Sequence, residues 1–163
     1  MLDAIASEFS TASPVSPAIM VLRILGAVLF CGAIGLEREF TKNAAGLRTN
    51  MLIGLAAVVF TFVTLHMMQS MGENHDATRL DPVRLVEAVT AGIAFLAAGV
   101  IVYTRGDVRG LTTGASMWLS AAIGLSVGLG LWSVALAATI VAIVILWLLR
   151  VTEVAVGMKD DDE

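Results

Sequence analysis

Apolar residues dominate five windows, 17–36, 47–68, 83–103, 112–130 and 131–149, and none of them alternates with period two. A helix rises about 1.5 Å per residue, so roughly 20 mostly apolar residues cross a hydrocarbon core about 30 Å thick. The pattern therefore predicts an all-α polytopic bundle of about five transmembrane helices, and not a membrane barrel. Residues 17–150 form the membrane domain, between a short extracytoplasmic segment (1–16) and an acidic cytoplasmic tail (151–163). The first sixteen residues carry Asp3 and Glu8 where a secretory leader would be basic, so they are expected to remain on the mature chain. The last two windows nearly touch at Gly128, Gly130 and Trp132, which predicts a tight hairpin.

Basic residues orient these spans. Arg38, Lys42 and Arg48 flank the first connection, Arg105 and Arg109 the third, and Arg150 and Lys159 follow the last window. The other side carries only Arg79 and Arg84. Positive charge collects on the cytoplasmic side, so the N-terminus is expected outside and the C-terminus inside. Trp132, Tyr103 and Trp147 fall near span ends, as interfacial anchors do.

Composition narrows the function. The 163 residues are 58% apolar and 15% charged, with a mean hydropathy of +0.88. A soluble domain carries about 25% charged residues, so lipid is the expected solvent. The net charge of −4 is partly the terminal Asp160–Glu163 run, and no basic patch with interleaved aromatics argues for nucleic acid. Cys31 is the single cysteine, which excludes an intrachain disulfide. No nucleophile–base set, zinc motif or phosphate-binding loop is present, so neither an enzyme nor a cofactor is expected.

Small residues mark where helices should meet. Thr112, Ser116, Ser120, Gly124 and Gly128 recur every fourth position, as do Ala27, Cys31 and Gly35 in the first helix; Gly92 and Gly99 are further packing positions in the third. Such stripes serve either packing within the chain or a homo-oligomer seam. Sliding the chain by about 64 residues superposes Gly35 on Gly99, Gly46-Leu47 on Gly110-Leu111 and Thr49 on Thr113. That suggests two helical hairpins forming a parallel repeat about the membrane normal.

Ionisable residues inside the spans are the first candidates for function. Arg23 and Glu87 sit at matching depths and are expected to lie close together, with Arg84 one turn above Glu87. They could form a register-fixing ion pair or a polar vestibule, or snorkel to the headgroups. A second cluster gathers on the cytoplasmic side: Glu37, Arg38, Glu39 and Arg48 at the first loop, and Arg105, Asp107 and Arg109 at the third. Thr49, Thr112 and Thr113 could cap the helices that follow, making either an anion-binding surface or a salt-bridged topology signal. Glu73, His75, Asp76 and Asp81 offer oxygen ligands that Mg2+ could use, but without ordered spacing. Cys31 reads as packing and His66 as interfacial.

Two stretches resemble the MgtC/SapB family of bacterial membrane proteins. Residues 35–60, GLEREFTKNAAGLRTNMLIGLAAVVF, are similar to its GLERE…AGLRT block and following helix. Residues 81–130 contain DPVR, GIAFLAAGVI, VRGLTTGASMW and AAIGLSVGLG in the family's order. Ala94 and Ala97 stand where the family usually has glycines, and Ala88 where glutamine is common. Many members carry a soluble C-terminal domain, whereas this sequence stops soon after Arg150. The resemblance implies a multi-pass protein of the bacterial inner membrane, associated with growth under Mg2+ limitation and, in some pathogens, survival inside macrophages. It further implies modulation of other membrane proteins, ATP synthase among them, and weighs against direct Mg2+ transport. The expected function is thus a non-enzymatic regulator linked to Mg2+ or ion homeostasis, acting through contacts with itself or other membrane proteins. The alternatives are a small oligomeric transporter or channel using Arg23, Arg84 and Glu87, and a lipid-headgroup binder using Arg38, Arg48 and Arg109.

Overall fold

A computed structural model describes residues 14–72, 83–104 and 107–155. It contains helices α1 (Pro17–Phe40), α2 (Leu47–Gly72), α3 (Val83–Val100), α4 (Leu111–Gly128) and α5 (Trp132–Ala155). A two-stranded antiparallel ribbon, β1 (Val102–Thr104) and β2 (Asp107–Arg109), joins α3 to α4, with Tyr103 opposite Val108. Among the described residues, three helices are long and apolar enough to cross a bilayer, namely Pro17–Phe40, Leu47–Ser70 and Val83–Val100; Trp132–Leu148 is a shorter apolar stretch.

The helix ends differ from the apolar windows for identifiable reasons. α1 runs past residue 36 through Glu37, Arg38 and Glu39, α2 runs to Gly72, and α5 extends to Ala155 into the expected tail. An apolar window measures hydrocarbon thickness, and a helix can continue into the polar layer. The third window was expected to reach Tyr103, but α3 stops at Val100. The β-branched and aromatic residues that follow favour a strand, and a short apolar run does not distinguish the two by periodicity.

α4 is the axis of the bundle, packing on α1, α2, α3 and α5. The main core joins Ala27, Cys31 and Ile34 of α1, Val58 and Phe62 of α2, Ile123 and Val127 of α4, and Ala135 and Ala142 of α5. A smaller cluster of Ala45, Ile53, Met117 and Ala121 receives Val89, Ile93 and Val100 from α3. α3 itself buries no residue. The outer surface is apolar, with Leu25, Leu29, Phe60, Phe95 and Trp147 exposed. Lipid tails are as apolar as these side chains, so inside a bilayer close packing and hydrogen bonds hold helices together.

The turns after α1 and α4 both rely on left-handed residues. Gly130 (φ 83°) ends α4: its N–H donates to Val127 O, and that of Leu131 to Ser126 O. This is a Schellman turn, and it makes the expected tight α4–α5 hairpin. α1 closes in the same way, with Lys42 N–H donating to Glu39 O and Asn43 N–H to Arg38 O. Here the left-handed residue is Lys42 (φ 53°), where a side chain costs about 1–2 kcal/mol.

The expected small-residue stripes face inward, within one chain. Cβ atoms built on Gly124 and Gly128 would approach Gly54 O at 2.6 Å and Thr61 at 2.8 Å. One on Gly35 would meet Leu47 Cα at 2.8 Å. The stripe on α4 begins at Thr113, which is buried, whereas Thr112 is exposed. Gly92 and Gly99 depart from expectation within the chain: beyond the helix's own backbone, no atom of the described residues comes within 4 Å of a Cβ built at either. They lie on the side of α3 opposite its contacts with α4.

Candidate functional site

Polar side chains line the seam where α1, α2 and α4 meet. At one end Arg38, only 6% exposed, donates from Nη2 to Thr113 Oγ1 at 3.2 Å. Ser116 donates to Thr113 O at 2.8 Å. One turn deeper, fully buried Asn50 donates to Ala45 O and Gly46 O and accepts from Ser120 Oγ at 2.8 Å. Cys31 Sγ donates to Ser120 O at 3.3 Å. At the far end Arg23 Nη1 donates to Gly128 O at 2.7 Å. Each of these bonds spares a buried polar group a desolvation cost of about 1–3 kcal/mol, while Arg23 Nε stays buried without a hydrogen-bond partner among the described residues.

The loop between α1 and α2 is built around the same end. Glu39 Oε2 accepts from Leu47 N–H at 3.0 Å, occupying an otherwise orphan donor at the start of α2. Any side chain at Gly46 would collide with that carboxylate. Thr41 Oγ1 bonds Glu37 O and Arg38 O, and Asn43 bonds Thr41. Glu37 keeps one carboxylate oxygen, Oε2, buried and without a hydrogen-bond partner among the described residues.

Several expectations are corrected by this geometry. Arg38 was assigned to a loop surface, but it is buried because the end of α1 packs under the starts of α2 and α4. Thr49 lies inside α2, whose start is capped by Glu39 from the preceding helix. α4 begins after Gly110 (φ 88°) with no side-chain cap, so neither Thr112 nor Thr113 serves there. Arg23 does not pair with Glu87. It binds the end of α4, the carbonyl end of a helix dipole, where a cation is favoured. Arg84 and Glu87 are exposed on α3, one turn apart, with no ion pair to each other or to any described residue. Trp132, expected as an interfacial anchor, packs edge-on against Phe30 (centroids 6.2 Å apart) and over Gly26.

Arg48 and Arg109 are exposed, and so is His66. The side chain of Asp107 and all of Arg105 lie outside the described residues, as do the outer-loop Glu73, His75, Asp76 and Asp81 and the tail beyond Ala155. No group of three or more His, Cys, Asp or Glu with metal-ligand geometry occurs among the described residues. Asn50 was missed in the sequence, although a lone amide in an apolar span is itself a signal.

This seam contains both halves of the 35–60 block, and residues 24–155 match the MgtC family as a whole. The chain belongs to the MgtC family. Among curated relatives, Protein MgtC of Salmonella typhimurium is 42% identical over 130 residues, 80% of this chain and 52% of that protein. The Escherichia coli K12 protein named "Putative magnesium transporter YhiD" is 34% identical over 126 residues, 77% of this chain and 58% of that protein. An uncharacterized Haemophilus influenzae protein is 36% identical over 127 residues, 77% of this chain and 53% of that protein. The chain therefore spans just over half the length of these MgtC relatives. No solved structure matches it.

Proposed function

We propose that this MgtC family chain is a multi-pass protein of the bacterial inner membrane that serves Mg2+ or ion homeostasis by contacting other membrane proteins. It crosses the bilayer about five times, N-terminus outside and C-terminus in the cytoplasm, and carries out no covalent chemistry. The observation that supports a non-conducting role is the closeness of the seam. Its polar groups bond one another, and at Gly54 and Gly124 two helix backbones come so near that a single methyl group would collide. A hydrated ion needs several ångströms of width that this packing denies within one chain.

A second reading is a small oligomeric transporter. It draws on the printed name of the YhiD relative and on the exposed Arg84 and Glu87, which could line a route between copies. Liposome flux decides between them. Purified protein is expected to pass no Mg2+, K+ or protons above empty vesicles, while co-purifying with a membrane partner. Flux that disappears in Glu87→Gln would overturn the regulatory reading in favour of transport.

A further inference from the structure

The outward face of α3 combines charge, a protruding ring and open glycines. At 100° per residue, Arg84, Glu87, Gly92, Phe95 and Gly99 fall within less than half the helix circumference, opposite the Val89, Ile93 and Val100 face that meets α4. Phe95 is 81% exposed, and a Cβ built at Gly92 or Gly99, three residues before and four after it, meets no other described element within 4 Å. The ring is a knob between two holes. Arg84 and Glu87 are opposite charges without partners among the described residues, on a helix apolar enough to span a bilayer. Against lipid such charges are costly, and pairing relieves that cost.

Both features are self-complementary, and the geometry points to a second copy of this chain as the occupant. Copies of one chain insert with the same orientation, so two α3 helices meet in parallel about a two-fold axis along the membrane normal. Arg84 and Glu87 differ in depth by about 4.5 Å, within reach of an arginine side chain. Each Arg84 then meets the Glu87 of the other copy, twice over by symmetry. Lower down, each Phe95 seats against a glycine of the opposite helix, where the absence of a side chain lets the backbones close. A lipid tail would satisfy neither charge, and an unrelated helix would have to reproduce both the charge spacing and the hole. The inference rests on the reading of the chain as a protein that works through helix contacts, and it names one such contact.

The test uses the full chain in lipid vesicles. Ala91→Cys and Ala98→Cys, on the same face, are expected to form disulfide-linked dimers under copper–phenanthroline oxidation. Wild type, whose Cys31 is buried, and Ile140→Cys, on the exposed side of α5, are not. Arg84→Glu and Glu87→Arg should each weaken dimerisation about tenfold, measured by energy transfer between labelled copies on lipid dilution. The double reversal Arg84→Glu/Glu87→Arg should return it to within about threefold of wild type. Both positions are exposed, so the melting temperature of each variant reports that the bundle is intact. A wild-type chain that stays monomeric at every dilution, crosslinking at Ile140→Cys and not on α3, or a double reversal no better than the singles would overturn the pairing. A monomer that still co-purifies with another membrane protein overturns the pairing and leaves the regulatory reading standing. A dimer whose flux vanishes in Glu87→Gln upholds the pairing and overturns that reading.

Discussion

α3 and α4 are both 18 residues long and equally hydrophobic on average, yet α4 buries eleven residues and α3 buries none. In water, equal hydrophobicity would give comparable burial. In lipid it decides nothing, because both helices are already among apolar neighbours. What separates them is the distribution of hydroxyls and glycines. α4 places Thr113, Ser116, Ser120, Gly124 and Gly128 along its inward face, so neighbouring backbones can close on it and bond it. α3 turns its glycines outward.

The sharpest way to break this contrast is to add bulk to the axis. Gly124→Leu drives a side chain into the backbone of Gly54, and is expected to cost roughly 3 kcal/mol or to prevent folding. Thermal unfolding in detergent, followed by tryptophan fluorescence, measures it; an unchanged melting temperature would refute the packing. Next, Asn50→Leu strips Ser120 of its acceptor and should cost about 2 kcal/mol. Combined with Ser120→Ala, the loss should fall short of the sum of the two, and full additivity would show that the two side chains are not coupled. Gly130→Ala forces a side chain into a positive φ beside the Arg23 guanidinium, and should lower stability by about 1–2 kcal/mol. Lys42→Gly relieves the same conformation at the end of α1 and should raise stability by about 1 kcal/mol. The smallest effect belongs to α3: Gly92→Leu, at a position where a Cβ meets no described atom within 4 Å, should change the stability of the dilute protein by no more than about 0.5 kcal/mol, read by thermal unfolding.

The helices themselves were legible because hydrocarbon thickness imposes one length on every span. The turn at Gly130 and the inward stripe were legible because glycines and hydroxyls at fourth positions have few other uses in an apolar helix. Partner choice was not. Matching depth placed Arg23 beside Glu87, but depth says nothing about rotation around the bundle. α1 packs on α2, α4 and α5, and the Gly128 carbonyl at the end of α4 accepts the guanidinium. Arg38 illustrates a different limit. Adjacent charges at the end of a span read as water-facing, and only the approach of α2 and α4 turns the middle one inward. The ribbon after Val100 was hidden because a short β-branched apolar run looks the same in either conformation. Glu39 and Asn50 act across the first loop, one on a backbone N–H and one on backbone carbonyls, and such bonds leave no periodic trace.

The bond between Arg23 and Gly128 reaches across 105 positions of the chain. During synthesis the first helix is therefore delivered to the membrane long before its acceptor exists, and it must wait with a bare cation. We predict that chains arrested before residue 128 hold α1 shallow, so that a cysteine replacing the neighbouring Ile24, which packs against the core of the finished bundle, is open to water-soluble thiol reagents. Completed chains should shield the same position. Equal labelling of short and full-length chains would show that assembly does not wait for this late clasp.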